Sequence, residues 1–196
     1  MASVGSDPRT EPGLGTSAVK VLIAGGFGVG KTTMVASVSE VAPLRTEERI
    51  SDMGGKVDDL GGVEGKNTTT VALDFGRITI NESLILYLFG TPGQERFWFM
   101  WDELSLGALG AVVLADTRRL DRCFAAVDYF ERRQIPFVLA VNNFFGEQRY
   151  TVDEVRDAAD LDSNVPIMQC DVRQRESSKV VLSTLLEHLM TMAAQR

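Results

Sequence analysis

The stretch Val19-Lys20-Val21-Leu22-Ile23-Ala24-Gly25-Gly26-Phe27-Gly28-Val29-Gly30-Lys31-Thr32 decides the fold. Residues 19–24 form a mostly apolar run of strand length, and a Gly-rich turn follows at once. Residues 25–32 fit G-x-x-x-x-G-K-S/T in full, and a helix is predicted over 32–41. Between a buried strand and a helix, glycines let the backbone turn so that successive N–H groups point inward at anionic oxygens. The helix N-terminus adds partial positive charge. Gly25, Phe27, Gly28, Val29, Gly30, Lys31, Thr32 and Thr33 are therefore the expected phosphate cradle. Lys31 is expected to reach the β- and γ-phosphates of a nucleoside triphosphate, and the Thr32 hydroxyl to ligate Mg²⁺. A Gly-rich turn with an incidental lysine is the bland alternative; the flanking strand and helix argue against it.

Outward from this loop the chain alternates strand and helix signals. Residues 44–69 are polar and rich in Gly, Asp and Glu, which predicts a mobile functional loop. Val71, Leu73 and Phe75 alternate as in a half-buried strand, and residues 84–89 are apolar as in a covered one. A hairpin is expected around Asn81-Glu82-Ser83. Residues 108–115 and 137–141 predict further strands. Leu120, Cys123, Phe124, Val127 and Phe130 mark one helical face. Thr151 and Glu154 have capping-box spacing, residues 165–170 predict a last strand, and 177–194 a last helix. The fold class is α/β: a three-layer P-loop NTPase fold with a mostly parallel six-stranded sheet and one antiparallel edge strand. Ligand is expected at the carboxyl ends of the strands. Residues 1–17 read as a disordered leader and 18–196 as one domain.

Of 196 residues, 44% are hydrophobic and 24% charged, the balance of an ordinary soluble domain. The net charge of −7 argues against nucleic acid as a partner. Cys123 and Cys170 sit in apolar runs, as reduced buried thiols do, and point to the cytoplasm. No run is long enough to span a membrane, and neither end carries a lipidation signal. No direct membrane anchor is expected.

Two further segments carry a resemblance. Thr70-Val71-Ala72-Leu73-Asp74-Phe75 resembles the Rab-type stretch after the first switch. Thr91-Pro92-Gly93-Gln94-Glu95-Arg96-Phe97 resembles the second switch of small GTPases. With Ala115-Asp116 ending the next strand, about residues 18–195 resemble the bacterial MglA family and the GTPase member of the bacterial conservon operons. The resemblance implies a GTP/GDP switch with Mg²⁺ as cofactor. It implies that Thr70 closes on Mg²⁺ and the γ-phosphate, with Thr68 and Thr69 as neighbours in a slipped register. Gly93 would give an N–H to the γ-phosphate, and Gln94 would orient the attacking water. It also implies a Roadblock-type regulatory partner in a sensor-kinase-like signalling complex, reached at the membrane only through partners.

The departures matter. Gly90 stands where an aspartate usually holds Mg²⁺ through water, which predicts weaker metal holding; MglA-like proteins also lack that acid. Phe27 stands at a position that is often glycine in Ras-type enzymes, and its ring would crowd the space where an arginine finger or Gln94 must sit, which predicts slow hydrolysis. At the base, Asn142-Asn143-Phe144-Phe145 replaces Asn-Lys-x-Asp, so Phe145 stands where a carboxylate pairs with guanine. Asn142, Asn143, Phe145, Cys170, Asp171 and Val172 are the expected base-site residues, with the Asp171 N–H reading the guanine carbonyl. Two alternatives stay open: a binding module with little turnover or relaxed base specificity, and a P-loop kinase or ATPase.

Other features are read conservatively. His188, on the apolar seam of the last helix, reads as a packed residue. Glu47, Glu48, Asp58 and Asp59 read as a solvated loop. Phe97, Trp98, Phe99 and Trp101 either pack on the sheet or dock a partner. Arg45, Arg49 and Arg96 are candidate charge stabilisers near the phosphates, with an ordinary surface arginine as the default reading of each.

Overall fold

Alternation along the first strand, β1 (Ser17–Gly25), creates two buried faces. Val21 and Ile23 point to one face, Leu22 and Ala24 to the other, and all four are buried. The first face is covered by α1 (Lys31–Val38) and α5 (Arg175–Ala194), through Met34, Val35, Val181 and Leu185. The second is covered by α2 (Trp101–Ser105), α3 (Phe124–Arg132) and α4 (Val152–Ala158), through Trp101, Phe130 and Val155. The result is the three-layer α/β sandwich expected from the sequence. The computed structural model describes residues 16–42, 44–51, 68–144 and 149–195.

The remaining strands are β2 (Leu44–Ser51), β3 (Thr68–Asn81), β4 (Leu84–Gly90), β5 (Ala108–Ala115), β6 (Phe137–Asn142) and β7 (Ile167–Cys170). Their spatial order is β2-β3-β4-β1-β5-β6-β7. From β4 to β7 all neighbours are parallel; β3 runs antiparallel to β4. The β3–β4 hairpin turns at Glu82 and Ser83, as expected. The strand order reverses at β1, whose carboxyl end lies between those of β4 and β5. That is the crevice where open α/β sheets take their ligands.

Three local readings need correction. The six expected strands are present, and β2 adds a seventh on the outside, antiparallel to β3. Part of the polar stretch read as a loop is thus an edge strand. The sequence of this strand, LRTEERIS, is polar and charged, a composition that reads as a loop. Positions 52–67 of that stretch lie outside the described residues, as do 1–15 of the leader. Ser17 belongs to β1, not the leader; its N–H donates to the Ser83 carbonyl at 2.7 Å. Finally, α1 ends at Val38. The Ser39 hydroxyl donates to the Val41 carbonyl and accepts from the Arg77 N–H, a local alternative to another helical turn. The expected capping box does open α4: Glu154 N–H donates to Thr151 Oγ1 at 3.2 Å, and Thr151 N–H to Glu154 Oε2 at 2.8 Å. Among the described residues no helix is long and apolar enough to cross a membrane.

Candidate functional site

The loop between β1 and α1 turns where side chains cannot. Gly25 has φ of 127°, and a Cβ there would stand 2.3 Å from the Leu114 carbonyl oxygen. Gly30 has φ of 111°, and a Cβ there would stand 2.9 Å from Asn142 Nδ2. Residues 25–30 are thus wedged between the ends of β5 and β6. The α1 N-terminus carries no side-chain cap and no acid in its first turn, so its leading N–H groups stay available to an anion. Lys31 is 9% exposed, and its Nζ donates to the Gly25 and Gly26 carbonyls, each at 2.8 Å. Burial pushes its ammonium down to about 8, against the opposing pull of the Asp74 carboxylate.

A cavity of about 510 Å³ opens above this loop, lined by Phe27, Gly28, Gly30, Lys31, Thr32 and Thr33 on one side. Asp74, Thr91, Gly93, Gln94 and Arg96 line the other. Gly93 lies against the lysine: a Cβ there would stand 2.6 Å from Lys31 Nζ and 2.9 Å from the Phe27 nitrogen. Gln94 Oε1 accepts from Arg96 Nε at 2.9 Å. Thr91 is buried with its hydroxyl unpartnered among the described residues.

Sequence reasoning missed Asp74. Its Oδ2 accepts from the Thr32 hydroxyl at 2.6 Å. It also explains Gly90, because a Cβ at Gly90 would stand 2.9 Å from Asp74 Cβ and 3.0 Å from its Oδ2. Asp74 thus puts a carboxylate from the neighbouring strand beside Gly90. Thr70 is placed by its backbone alone. It lies within β3 opposite Arg49, four residues from Asp74, so roughly 13 Å along the strand.

On the base side, Asn142 is buried. Its Nδ2 donates to the Val29 carbonyl at 3.0 Å, and its Oδ1 accepts from the Val172 N–H at 3.3 Å. It ties the phosphate loop to the turn after β7. Asn143 N–H donates to the Cys170 carbonyl at 2.8 Å. The Asp171 N–H, expected to read the base, donates to Ser177 Oγ at 2.9 Å. The Asp171 carboxylate is held down to about 2 by the Arg173 guanidinium. Phe145 lies outside the described residues.

The aromatic run divides. Trp101 is 3% exposed, stacks on Phe130, and donates Nε1 to the Pro92 carbonyl at 3.0 Å. It anchors the turn that presents Gly93 and Gln94. Trp98 and Phe99 are 37% and 60% exposed. His188 lies half-buried on α5, away from the phosphate cavity. Cys123 and Cys170 are free and buried, with burial pushing each thiol up to about 12.

Residues 23–192 match the family described as conserved hypothetical ATP-binding protein. An uncharacterized protein of Methanocaldococcus jannaschii is 32% identical over 126 residues, covering 63% of this chain and 69% of that protein. Among solved structures, the cytosolic domain of the T. maritima FeoB iron transporter in a GDP form superimposes with a TM-score of 0.64 at 15% identity over 89% of this chain. An apo form gives 0.61 at 16% identity over 88%. This chain spans 64% of each of those two chains, and the likeness is one of fold.

Proposed function

The chain belongs to the family of conserved hypothetical ATP-binding proteins, a nucleotide-binding P-loop NTPase, and from that premise we propose a Mg²⁺-dependent switch that hydrolyses nucleoside triphosphate slowly. The observation that carries this reading is the convergence of Lys31, Gly93 and the Thr32–Asp74 pair on one cavity.

In this reading Lys31 leaves the Gly25 and Gly26 carbonyls to donate to phosphate oxygens. The N–H groups of the loop and α1 cradle the β-phosphate, and the Gly93 N–H meets the γ-phosphate. A hydroxyl and a carboxylate 2.6 Å apart, beside the buried Thr91 hydroxyl, suit a small hard cation that keeps several water ligands. Mg²⁺ held by Thr32 and Asp74 would neutralise charge on the β- and γ-phosphates. Gln94 would accept from the attacking water, but Arg96 holds its Oε1, and Phe27 shares the same cavity. Both features support slow turnover.

The family description names ATP, whereas one of the structural neighbours is a GDP form. The resemblance to small GTPases favours GTP/GDP, but Phe145 replaces the carboxylate of the motif and Ser177 already occupies the Asp171 N–H. We read the chain as a guanine-nucleotide binder that discriminates weakly against adenine. A Roadblock-type partner in a signalling complex is proposed from the resemblance; the exposed Trp98 and Phe99 beside the Gln94 turn support a protein surface there.

A second reading, a binding module without useful turnover, is favoured by the Gln94–Arg96 contact. Single-turnover phosphate release with Mg²⁺GTP and Mg²⁺ATP separates the two. Gln94→Leu is expected to slow release at least tenfold, ~1.4 kcal/mol on the barrier. Release from the parent that never exceeds that of Lys31→Ala protein would leave the binding module standing.

A further inference from the structure

Phe27 and Gly28 line two cavities, one on each side of the loop. The second, of about 380 Å³, is walled by Gly26, Asp116 and three arginines, Arg118, Arg119 and Arg122. We propose that this cavity is a second anion site, in which Arg119 and Arg122 bind the phosphate of a small phosphomonoester. Its charged ligands, Arg119 and Arg122, are not among those of the nucleotide cavity, although the two cavities share the walls formed by Phe27 and Gly28.

The arginines are not equivalent. Arg118 pairs with Asp116 at 2.7 Å and stacks on the Phe144 ring at 4.4 Å. The Asp116 charge is thereby matched. The chain leaves helical geometry at Arg119 (φ −151°, ψ 54°), between that pair and the turn carrying Arg122. Arg122 lies directly on the loop, since a Cβ at Gly26 would stand 2.7 Å from Arg122 Cβ. A larger residue at Gly26 would push the arginine off. Among the described residues neither the Arg119 nor the Arg122 side chain makes a hydrogen bond or ion pair.

Three arginines against one aspartate leave two surplus positive charges in a chain of net charge −7. A phosphomonoester carries about −1.5 to −2 near neutral pH, and guanidinium forks match its oxygens bidentately. The cavity also has an apolar floor of Val29, Leu114 and Cys123, all buried, and a wall formed by the Phe27 ring, 66% exposed. Bare phosphate would leave that surface unused, so the site suits a phosphate attached to a small apolar body.

Calorimetric titration of phenyl phosphate into the full chain carrying Lys31→Ala tests the site without the loop lysine. One binding event is expected, weakened at least tenfold by adding Arg119→Gln and Arg122→Gln. Both arginines are exposed, so the variants should keep the fold, which a thermal melt checks. Should Lys31→Ala itself unfold, parent protein preloaded with pyrophosphate in its P-loop replaces it. Inorganic phosphate is expected to bind at least tenfold more weakly than phenyl phosphate; equal affinities would keep the anion site but assign it to free phosphate. Phenyl phosphate binding that vanishes with Lys31→Ala or pyrophosphate alone, or that survives loss of both arginines unchanged, overturns the proposal.

Discussion

Lys31 is buried against the carbonyls of its own loop, and that burial has a measurable consequence. Its ammonium is held down to about 8, whereas in the unfolded chain it titrates at the ordinary value of 10.5. Between those values the folded chain binds fewer protons than the unfolded one, so Lys31 makes the fold more stable as pH rises through that window. Phosphate oxygens act the other way and restore the charged form. Nucleotide binding at pH 8.5 is therefore expected to take up part of a proton, visible as an enthalpy that depends on the buffer. An enthalpy identical in buffers of different ionisation heat would mean that Lys31 does not meet the phosphates. The lysine was legible in the sequence because its motif is local. Asp74 was not, because its role depends on a register between strands. Phe75 pairs with Phe89, and this brings Asp74 beside Gly90 and Thr32. The absent acid at Gly90 could be seen in the sequence, but not the Asp74 carboxylate beside it.

Among the elements, the turn from Thr91 to Gln94 links the phosphate cavity to the core. Trp101 holds the Pro92 carbonyl from below, and Trp98 lies 5.7 Å from Trp101 at the surface. A γ-phosphate that draws in the Gly93 N–H must therefore disturb both indoles. Exchange of diphosphate for triphosphate is expected to change tryptophan emission, and Trp98→Phe isolates the Trp101 part. Emission that stays the same through exchange would mean the turn is rigid and carries no switch. Residues 97–101 could not be sorted by their spacing alone. Trp101 is buried because α3 supplies Tyr129 and Phe130 as ring partners, a contact across more than twenty residues. The edge strand β2 was hidden for a related reason. Its sequence is polar, and only pairing with β3 distinguishes it from a loop.

Across the whole molecule, the buried parallel strands were the most legible feature, since residues 21–24 and 111–115 have almost no polar side chain to hide. They place the ends of β1, β4 and β5 together and so fix where nucleotide phosphates can bind. The base side was less legible. Asn142 matches the family motif, yet its side chain ties Val29 to Val172 within the protein. In the proposed guanine reading, Phe145 stands where the motif has its pairing carboxylate. Charge-assisted hydrogen bonds contribute roughly 1.5–3 kcal/mol each, so losing a carboxylate that accepts two is enough to erase a strong guanine preference. The most direct test of the account is calorimetric titration of GDP, GTP, ADP and ATP with Mg²⁺ into the parent and Lys31→Ala proteins. The account predicts one site on the parent, with GDP favoured over ADP by less than tenfold, ~1.4 kcal/mol, and at least tenfold weaker binding of all four to Lys31→Ala. Equal affinity of the two proteins for these nucleotides would contradict it.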